Sequence, residues 1–269
     1  MDKTDANNMR RTALVTGASG GIGYELARLI AADGHDLVLV SRNETRLKEV
    51  AGELEEAFRV RTALLPKDLA VPDSPEQILA ELEKASIEID VLVNNAGFGT
   101  SGPFSQSPLS EQLEMIQLNV TSLVHLTGLL LPRMIERSRG KVVNVSSVAA
   151  FQPGPFMAVY YATKSFVLSF SEAIASELEG TGVTVTAVCP GPTVTDFQNR
   201  AGTADTNLFR NHMTMDAPAV ARIAYEGVKK NKPVVITGAK NKFLAFGNRL
   251  VPRSLVVKIA RSLNEHRKR

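Results

Sequence analysis

A single cysteine, Cys189, stands in a chain of 269 residues. One cysteine excludes an internal disulfide and a cysteine-rich metal site, and it fits a reducing compartment. Its neighbours Val188 and Pro190 predict a buried strand end, where the thiol is an inert small hydrophobe. No metal site is expected. No apolar run reaches the roughly 18 residues of a membrane span. The best, over residues 123–135, is interrupted by His125, Gly128, Pro132 and Arg133. Residues 1–11 are polar and lack the apolar core of a secretory signal, so a mobile N-terminal tail and a cytoplasmic location are expected. With 44% apolar and 22% charged residues, the chain can bury a core and stay soluble. Its length suits one large α/β domain or two small ones.

The net charge of +3 hides an asymmetry. Residues 238–269 hold nine Lys and Arg against Glu265 alone, which leaves 22 basic against 27 acidic residues elsewhere. The basic character belongs to the C-terminal extension, and the body gives no support for nucleic-acid binding.

Residues 12–16 form a short apolar run that closes in Gly17-Ala18-Ser19-Gly20-Gly21-Ile22-Gly23. An amphipathic helix follows, with Leu26, Leu29 and Ile30 on one face. Strand, glycine turn and helix together aim backbone N–H groups and a helix N-terminus at a phosphate. Gly17 would permit the tight turn, Gly21 the approach of a pyrophosphate, and Gly23 close helix–strand packing. A second strand over residues 36–40 ends in Ser41-Arg42. An acidic residue there would take the ribose hydroxyls of NAD. A hydroxyl and a guanidinium instead favour the 2′-phosphate of NADP over NAD.

The alternation continues. Predicted helices cover residues 44–57, 75–85, 110–137 and a stretch ending near 178. Predicted strands cover 60–65, 90–93, 141–145, 183–188 and 233–237. Asp68-Leu69, Asn94-Asn95-Ala96-Gly97, Ser146-Ser147 and Pro190-Gly191-Pro192-Thr193-Val194-Thr195 each fall just after a strand, where open α/β sheets bind ligands. Alternating elements predict a Rossmann-type, doubly wound parallel sheet of about seven strands with helices on both faces, in a single domain over residues 12–238.

The chemistry converges on Tyr160-Tyr161-Ala162-Thr163-Lys164. Residues four apart on a helix lie about 40° apart around its axis, so Tyr160 and Lys164 can reach one site. An ammonium group about 4 Å from the phenol favours its ionised form by roughly 4 kcal/mol at an effective dielectric of about 20. That would lower the tyrosine pKa by up to about three before desolvation is counted. A hydroxyl such as that of Ser147 could then hold a carbonyl oxygen while the tyrosine gives or takes its proton. A Tyr161–Lys164 pair is also sterically possible.

The ordered set resembles the classical short-chain dehydrogenase/reductase family. Thr16-Gly17-xxx-Gly21-x-Gly23 resembles its cofactor loop, Asn94-Asn95-Ala96-Gly97 its fourth-strand motif, and Tyr160-xxx-Lys164 its catalytic pair. Pro190-Gly191-xxx-Thr195 resembles the segment that closes over the nicotinamide. The resemblance selects Ser147 over Ser146 and Tyr160 over Tyr161. It implies that Tyr160 exchanges a proton with the substrate oxygen, Ser147 fixes that oxygen, and Lys164 holds the nicotinamide ribose. Asn119 would hold a water leading protons to Lys164. The loop residues Gly17, Ser19, Gly20, Gly21, Ile22 and Gly23 would hold phosphates, with Ser41 and Arg42 at the 2′-phosphate. Asp68 and Leu69 would meet the adenine, Asn95, Ala96 and Gly97 the adenosine ribose, and Pro190, Gly191, Thr193 and Thr195 the carboxamide and phosphates. Asn94 is expected only to tie strands together. Position 20 is glycine where NADP-using members often carry a basic residue, so Arg42 bears the cofactor expectation mostly alone. A homodimer or homotetramer is expected by resemblance only.

Phe151, Pro153, Pro155, Phe156 and Met157 before the catalytic pair are expected to set the substrate. So are Phe197, Leu208, Phe209, Met213 and Met215 in a lid over residues 196–216. No basic cluster awaits an anion there, since Arg200 and Arg210 are isolated, so an apolar carbonyl or alcohol is expected. A catalytically idle NADP-binding sensor or scaffold is the alternative, and an intact Ser147, Tyr160 and Lys164 argue against it. A nucleotide-sugar epimerase of the extended branch would need a larger C-terminal substrate domain. Residues 239–269 predict a basic helical extension with Leu255, Val256, Ile259 and Leu263 on one side. Such a helix could lie on an anionic membrane, or pack over the substrate mouth or a subunit interface.

Overall fold

The computed structural model describes residues 10–203, 206–207, 214–247 and 251–265. Seven parallel strands form one sheet: β1 (Thr12–Thr16), β2 (Asp36–Ser41), β3 (Thr62–Pro66), β4 (Val91–Asn94), β5 (Gly140–Val145), β6 (Val183–Cys189) and β9 (Val234–Ile236). Their order across the sheet is β3-β2-β1-β4-β5-β6-β9. Every pairing is parallel, with Thr16 opposite Val40 and Asn94 opposite Asn144 at the carboxyl ends. The strand order reverses between β1 and β4, which opens a crevice above those ends.

Successive strand residues point to opposite faces, and here both faces are covered. Ala13 and Val15 of β1 pack with α1 (Gly21–Ala32), α2 (Glu44–Phe58) and α8 (Ala217–Lys229) through Leu26, Leu54 and Ala224. Leu14 points the other way, into Ile78 of α3 (Ser74–Lys84), Leu126 and Met134 of α5 (Ser122–Glu136) and Leu178 just beyond α6 (Ala158–Glu177). This two-sided burial explains why the strands read as unbroken apolar runs. Beyond β6, β7 (Thr193–Val194) pairs with β8 (Met215–Asp216), and α7 (Phe197–Arg200) lies between them in sequence. Two helices follow the sheet, α9 (Ala239–Gly247) and α10 (Arg253–Asn264).

The long helix expected over residues 110–137 is present, and two other expectations change. The helix expected over residues 110–137 consists of α4 (Leu109–Ile116) and α5, joined by a π-turn at Gln117–Thr121 that carries Asn119. Taken whole, Leu109–Glu136 is long and apolar enough to cross a membrane, which no single apolar run in the sequence is. In the fold its Leu123, Leu126, Leu130 and Met134 are buried. Arg10, expected in a mobile tail, donates to the Arg59 carbonyl at 2.6 Å and lies 3.6 Å from Asp36. Of the expected lid, Leu208, Phe209, Arg210 and Met213 lie outside the described residues, as do residues 1–9 of the expected tail.

Candidate active site

Gly17 turns the chain out of β1 with φ of +66°, in the left-handed region that glycine adopts without strain. Its N–H and that of Ala18 both bond the Val40 carbonyl, at 2.8 and 3.3 Å. A Cβ on Gly23 would collide with the Gly17 carbonyl and the Asn95 amide. Asn95 clamps this turn, donating from Nδ2 to the Thr16 and Gly17 carbonyls at 2.9 and 3.2 Å. The Thr16 hydroxyl accepts in turn from the Asn95 and Ala96 N–H groups. The side chain of Asn95, expected at the adenosine ribose, is thus committed to shaping the glycine loop. At Gly20, where α1 begins, a Cβ would meet nothing within 4 Å. A snug turn beneath an open helix N-terminus fits a pyrophosphate.

At the end of β2 the Ser41 hydroxyl donates to the Ser19 hydroxyl at 2.9 Å. Arg42 is exposed, with its guanidinium 3.5 Å from Asp68. The Asp68 carboxylate, expected at the adenine, is shared between Arg42 and the Ala70 N–H. Leu69 beside it is buried, and its carbonyl accepts from the Ser122 hydroxyl. Sequence reasoning missed Arg46, whose Nε donates to the Ser19 carbonyl at 3.3 Å. The available signal was its position in the first turn of α2, four residues after Arg42.

Ser147 follows β5 directly, and its hydroxyl accepts from the Ala149 N–H at 3.1 Å. It donates to the Pro190 carbonyl at 3.4 Å and lies beside the Tyr160 phenol. Ser146 points the other way, buried, donating to the Lys164 carbonyl at 2.7 Å. Tyr161 is likewise turned from the site, its hydroxyl on Asn264. Lys164 is only 6% exposed; its ammonium donates to the Val145 carbonyl at 2.8 Å and lies 5.8 Å from the Tyr160 ring centre. Asn119 is 1% exposed. Its side chain pairs with both the N–H and carbonyl of Phe98 and donates to the Thr163 hydroxyl. It thereby ties the loop containing Gly97 to α6. Asn94 bridges strands as expected, donating to Thr127 and to Asn144 of β5.

The expected lowering of the Tyr160 pKa does not hold in the protein alone. Burial raises it, and the neighbouring Ser147 hydroxyl opposes that only in part. The same burial brings Lys164 down to about 8, because desolvation disfavours its charged form as well. Tyr160 is therefore a neutral phenol at pH 7. Burial also pushes the Cys189 thiol up to about 12, so this cysteine is inert.

Pro190 and Gly191 leave β6 toward this site, and the Thr193 hydroxyl donates back to the Gly191 carbonyl at 2.9 Å. The Thr195 methyl lies against Gly21, next to Ile22 at the start of α1. Between α1 and this segment opens a groove of about 440 Å³ bounded by Gly21, Tyr24, Thr195 and Gln198. The Phe197 ring stands 5.3 Å from that of Tyr160. Met157, Ala149 and Ala201 complete an apolar cluster around the two tyrosines. Phe151, expected at the substrate, packs instead with Leu168, Ile236 and Ala245.

The short chain dehydrogenase family profile matches residues 11–206. Sulfoacetaldehyde reductase 2 of Chromohalobacter salexigens is 37% identical over 223 residues, covering 81% of this chain and 88% of its own. The very-long-chain 3-oxoacyl-CoA reductase of Rattus norvegicus is 38% identical over 182 residues, or 66% of this chain. The match spans 58% of that longer relative's length. Among solved structures, a short-chain dehydrogenase from Sphingobium yanoikuyae in complex with NADPH is 34% identical. It superposes with a TM-score of 0.80 over 89% of this chain and 94% of its own. The chain belongs to the short-chain dehydrogenase family, oxidoreductases that bind a nicotinamide cofactor and act on small molecules.

Proposed function

We propose that the protein is an NADPH-dependent carbonyl reductase acting on an apolar substrate. The observation that carries the cofactor choice is the end of β2, where Ser41 meets Ser19 and is followed by Arg42 rather than a carboxylate. Arg46, held on the Ser19 carbonyl, adds a second guanidinium to the same corner. A carboxylate after β2 would favour ribose hydroxyls, whereas guanidinium groups favour a phosphate. The NADPH-bound relative is consistent with this choice. Gly17 through Gly23 would hold the pyrophosphate, and Lys164, Thr193 and Thr195 the nicotinamide end.

When bound, the cofactor supplies a hydride. The chain supplies the proton and the geometry. Tyr160 gives its phenolic proton to the substrate oxygen, and the Ser147 hydroxyl positions that oxygen. Burial keeps Tyr160 in the protonated, donor form at neutral pH, which suits reduction over oxidation. Lys164, charged below about pH 8, stabilises the phenolate left after transfer. An idle nucleotide-binding scaffold would have no use for a phenol set beside a serine hydroxyl and a buried lysine. Met157, Ala201 and Phe197 around Tyr160 offer dispersion contacts and no cation, which supports an apolar substrate. The relatives' names include both a small aldehyde and a very-long-chain 3-oxoacyl thioester, so they leave that choice to the site.

The test is consumption of NADPH and NADH across alkyl, aryl and steroid ketones and short keto acids. Turnover of lipophilic ketones with NADPH is expected. Preference for NADH, or turnover confined to keto acids, would overturn the respective half of the proposal.

A further inference from the structure

We propose that α9 and α10 dock on a bilayer surface rich in anionic lipid. Both helices are anchored by narrow inner faces. On α9 these are Asn241, whose Nδ2 donates to the Thr237 carbonyl at 2.7 Å, and Ala245, buried with Leu168 and Cys189. On α10 they are Val256, Ala260 and Asn264. Of the apolar side expected on this helix, Val256 is buried while Leu255 and Ile259 are about half exposed, at 47% and 51%. The inner face of α10 needs neither residue for its own packing.

The outer face of α9 is more unusual. At 100° per residue, Phe243 lies about 200° from Asn241, directly opposite the anchor. It is 78% exposed, and Leu244 and Phe246 beside it are exposed as well. Lys242 and Lys240 flank the phenyl ring on its two sides. Exposed rings centred between lysines suit the boundary between acyl chains and headgroups, where lysine stems reach outward to phosphates. The whole segment from residue 238 carries nine basic residues and one acidic.

That charge decides between occupants. A second copy meeting this face around a two-fold axis would bring Lys240 and Lys242 against their own images. An anionic surface is complementary to it, and each basic residue close to such a surface adds to binding. The neighbouring contact of Asn264 with Tyr161 and the Pro155 carbonyl places α10 beside the active-site helix. Docking would therefore hold the site near the bilayer. The proposal stands independently of the substrate assignment.

Co-sedimentation of the full chain with phosphatidylserine–phosphatidylcholine vesicles, and with pure phosphatidylcholine, tests it. Binding to the anionic vesicles is expected, released by high salt and absent with phosphatidylcholine alone. The double substitutions Phe243→Ser/Leu244→Ser and Lys240→Glu/Lys242→Glu should each weaken binding at least about tenfold. Because these side chains are exposed, circular dichroism melts and turnover in solution should match the parent. No co-sedimentation, or undiminished binding by both variants, would overturn the proposal. So would self-association in sedimentation velocity that Phe243→Ser abolishes, which would assign the face to a second copy.

Discussion

The Tyr161 hydroxyl donates to Asn264 Oδ1 at 3.1 Å, linking residues 103 positions apart. Asn264 also donates to the Pro155 carbonyl at 3.0 Å, and the Arg261 guanidinium lies 5.1 Å from the Phe156 ring. The last turn of α10 thus braces the loop that precedes the active-site helix. Phe156 in that loop has a φ of +67°, a strained value for a side-chain-bearing residue.

Tyr161→Phe removes this hydrogen bond while keeping the buried ring. Leaving Asn264 Oδ1 without its donor should lower unfolding stability by about 1–3 kcal/mol. Turnover should stay within a few-fold of the parent. Urea unfolding beside a turnover assay checks both halves, and loss of most activity at unchanged stability would contradict the division of labour between the two tyrosines.

Tyr160→Phe removes the proposed proton donor and nothing that contacts the cofactor loop. Activity should fall by at least about a hundredfold, the lower range for a positioned acid. Fluorescence titration should find NADPH affinity nearly unchanged. Residual activity near the parent level would sink the mechanism.

The pH profile follows from Lys164. Its folded pKa of about 8 lies below the ordinary 10.5 because burial disfavours the cation. kcat/KM for reduction should be level near pH 7 and fall as pH rises past about 8, when Lys164 loses its proton. Lys164→Arg, which keeps its charge, should abolish that alkaline limb even where its rate is low. On the stability side the unfolded chain binds the extra proton between about 8 and 10.5. The penalty from this group is therefore full below pH 8 and shrinks as pH rises through that window.

Ser41→Asp with Arg42→Ala should reverse the cofactor preference. Loss of a charged hydrogen bond to a phosphate amounts to about 1.5–3 kcal/mol, or roughly ten- to a hundredfold in NADPH affinity. NADH affinity should be held or improved. Arg46→Ala alone should weaken NADPH binding by a smaller factor, since Arg46 is also paired with Glu49 and Glu53. Calorimetry with both nucleotides measures each effect, and an unaltered ratio would show that the 2′-phosphate lies elsewhere.

Much of this molecule was legible in the chain itself. Alternating apolar runs and amphipathic stretches determined a parallel sheet covered on both faces, because a strand buried on two sides can carry no polar face. The motifs fell after strands, so topology alone carried Gly17, Ser41, Asn95, Ser147 and Gly191 to one end of the sheet. The charge of the C-terminal segment was equally plain. What local chemistry could not separate was Tyr160 from Tyr161, or Ser146 from Ser147; family resemblance chose between them. In the fold the choice is one of direction. Each residue step turns about 100° on a helix and reverses face on a strand, so neighbours of one chemistry meet different surroundings. Burial is likewise a tertiary property, which is why the lysine expected to acidify Tyr160 is itself driven toward neutrality. The packing of Val256 and Ala260, rather than Leu255 and Ile259, was settled only when α10 met the rest of the protein. Its sequence shows one apolar side, and Val256 alone of Leu255, Val256 and Ile259 turns inward because Ala260 and Asn264 seat that edge of the helix beside the loop at Pro155.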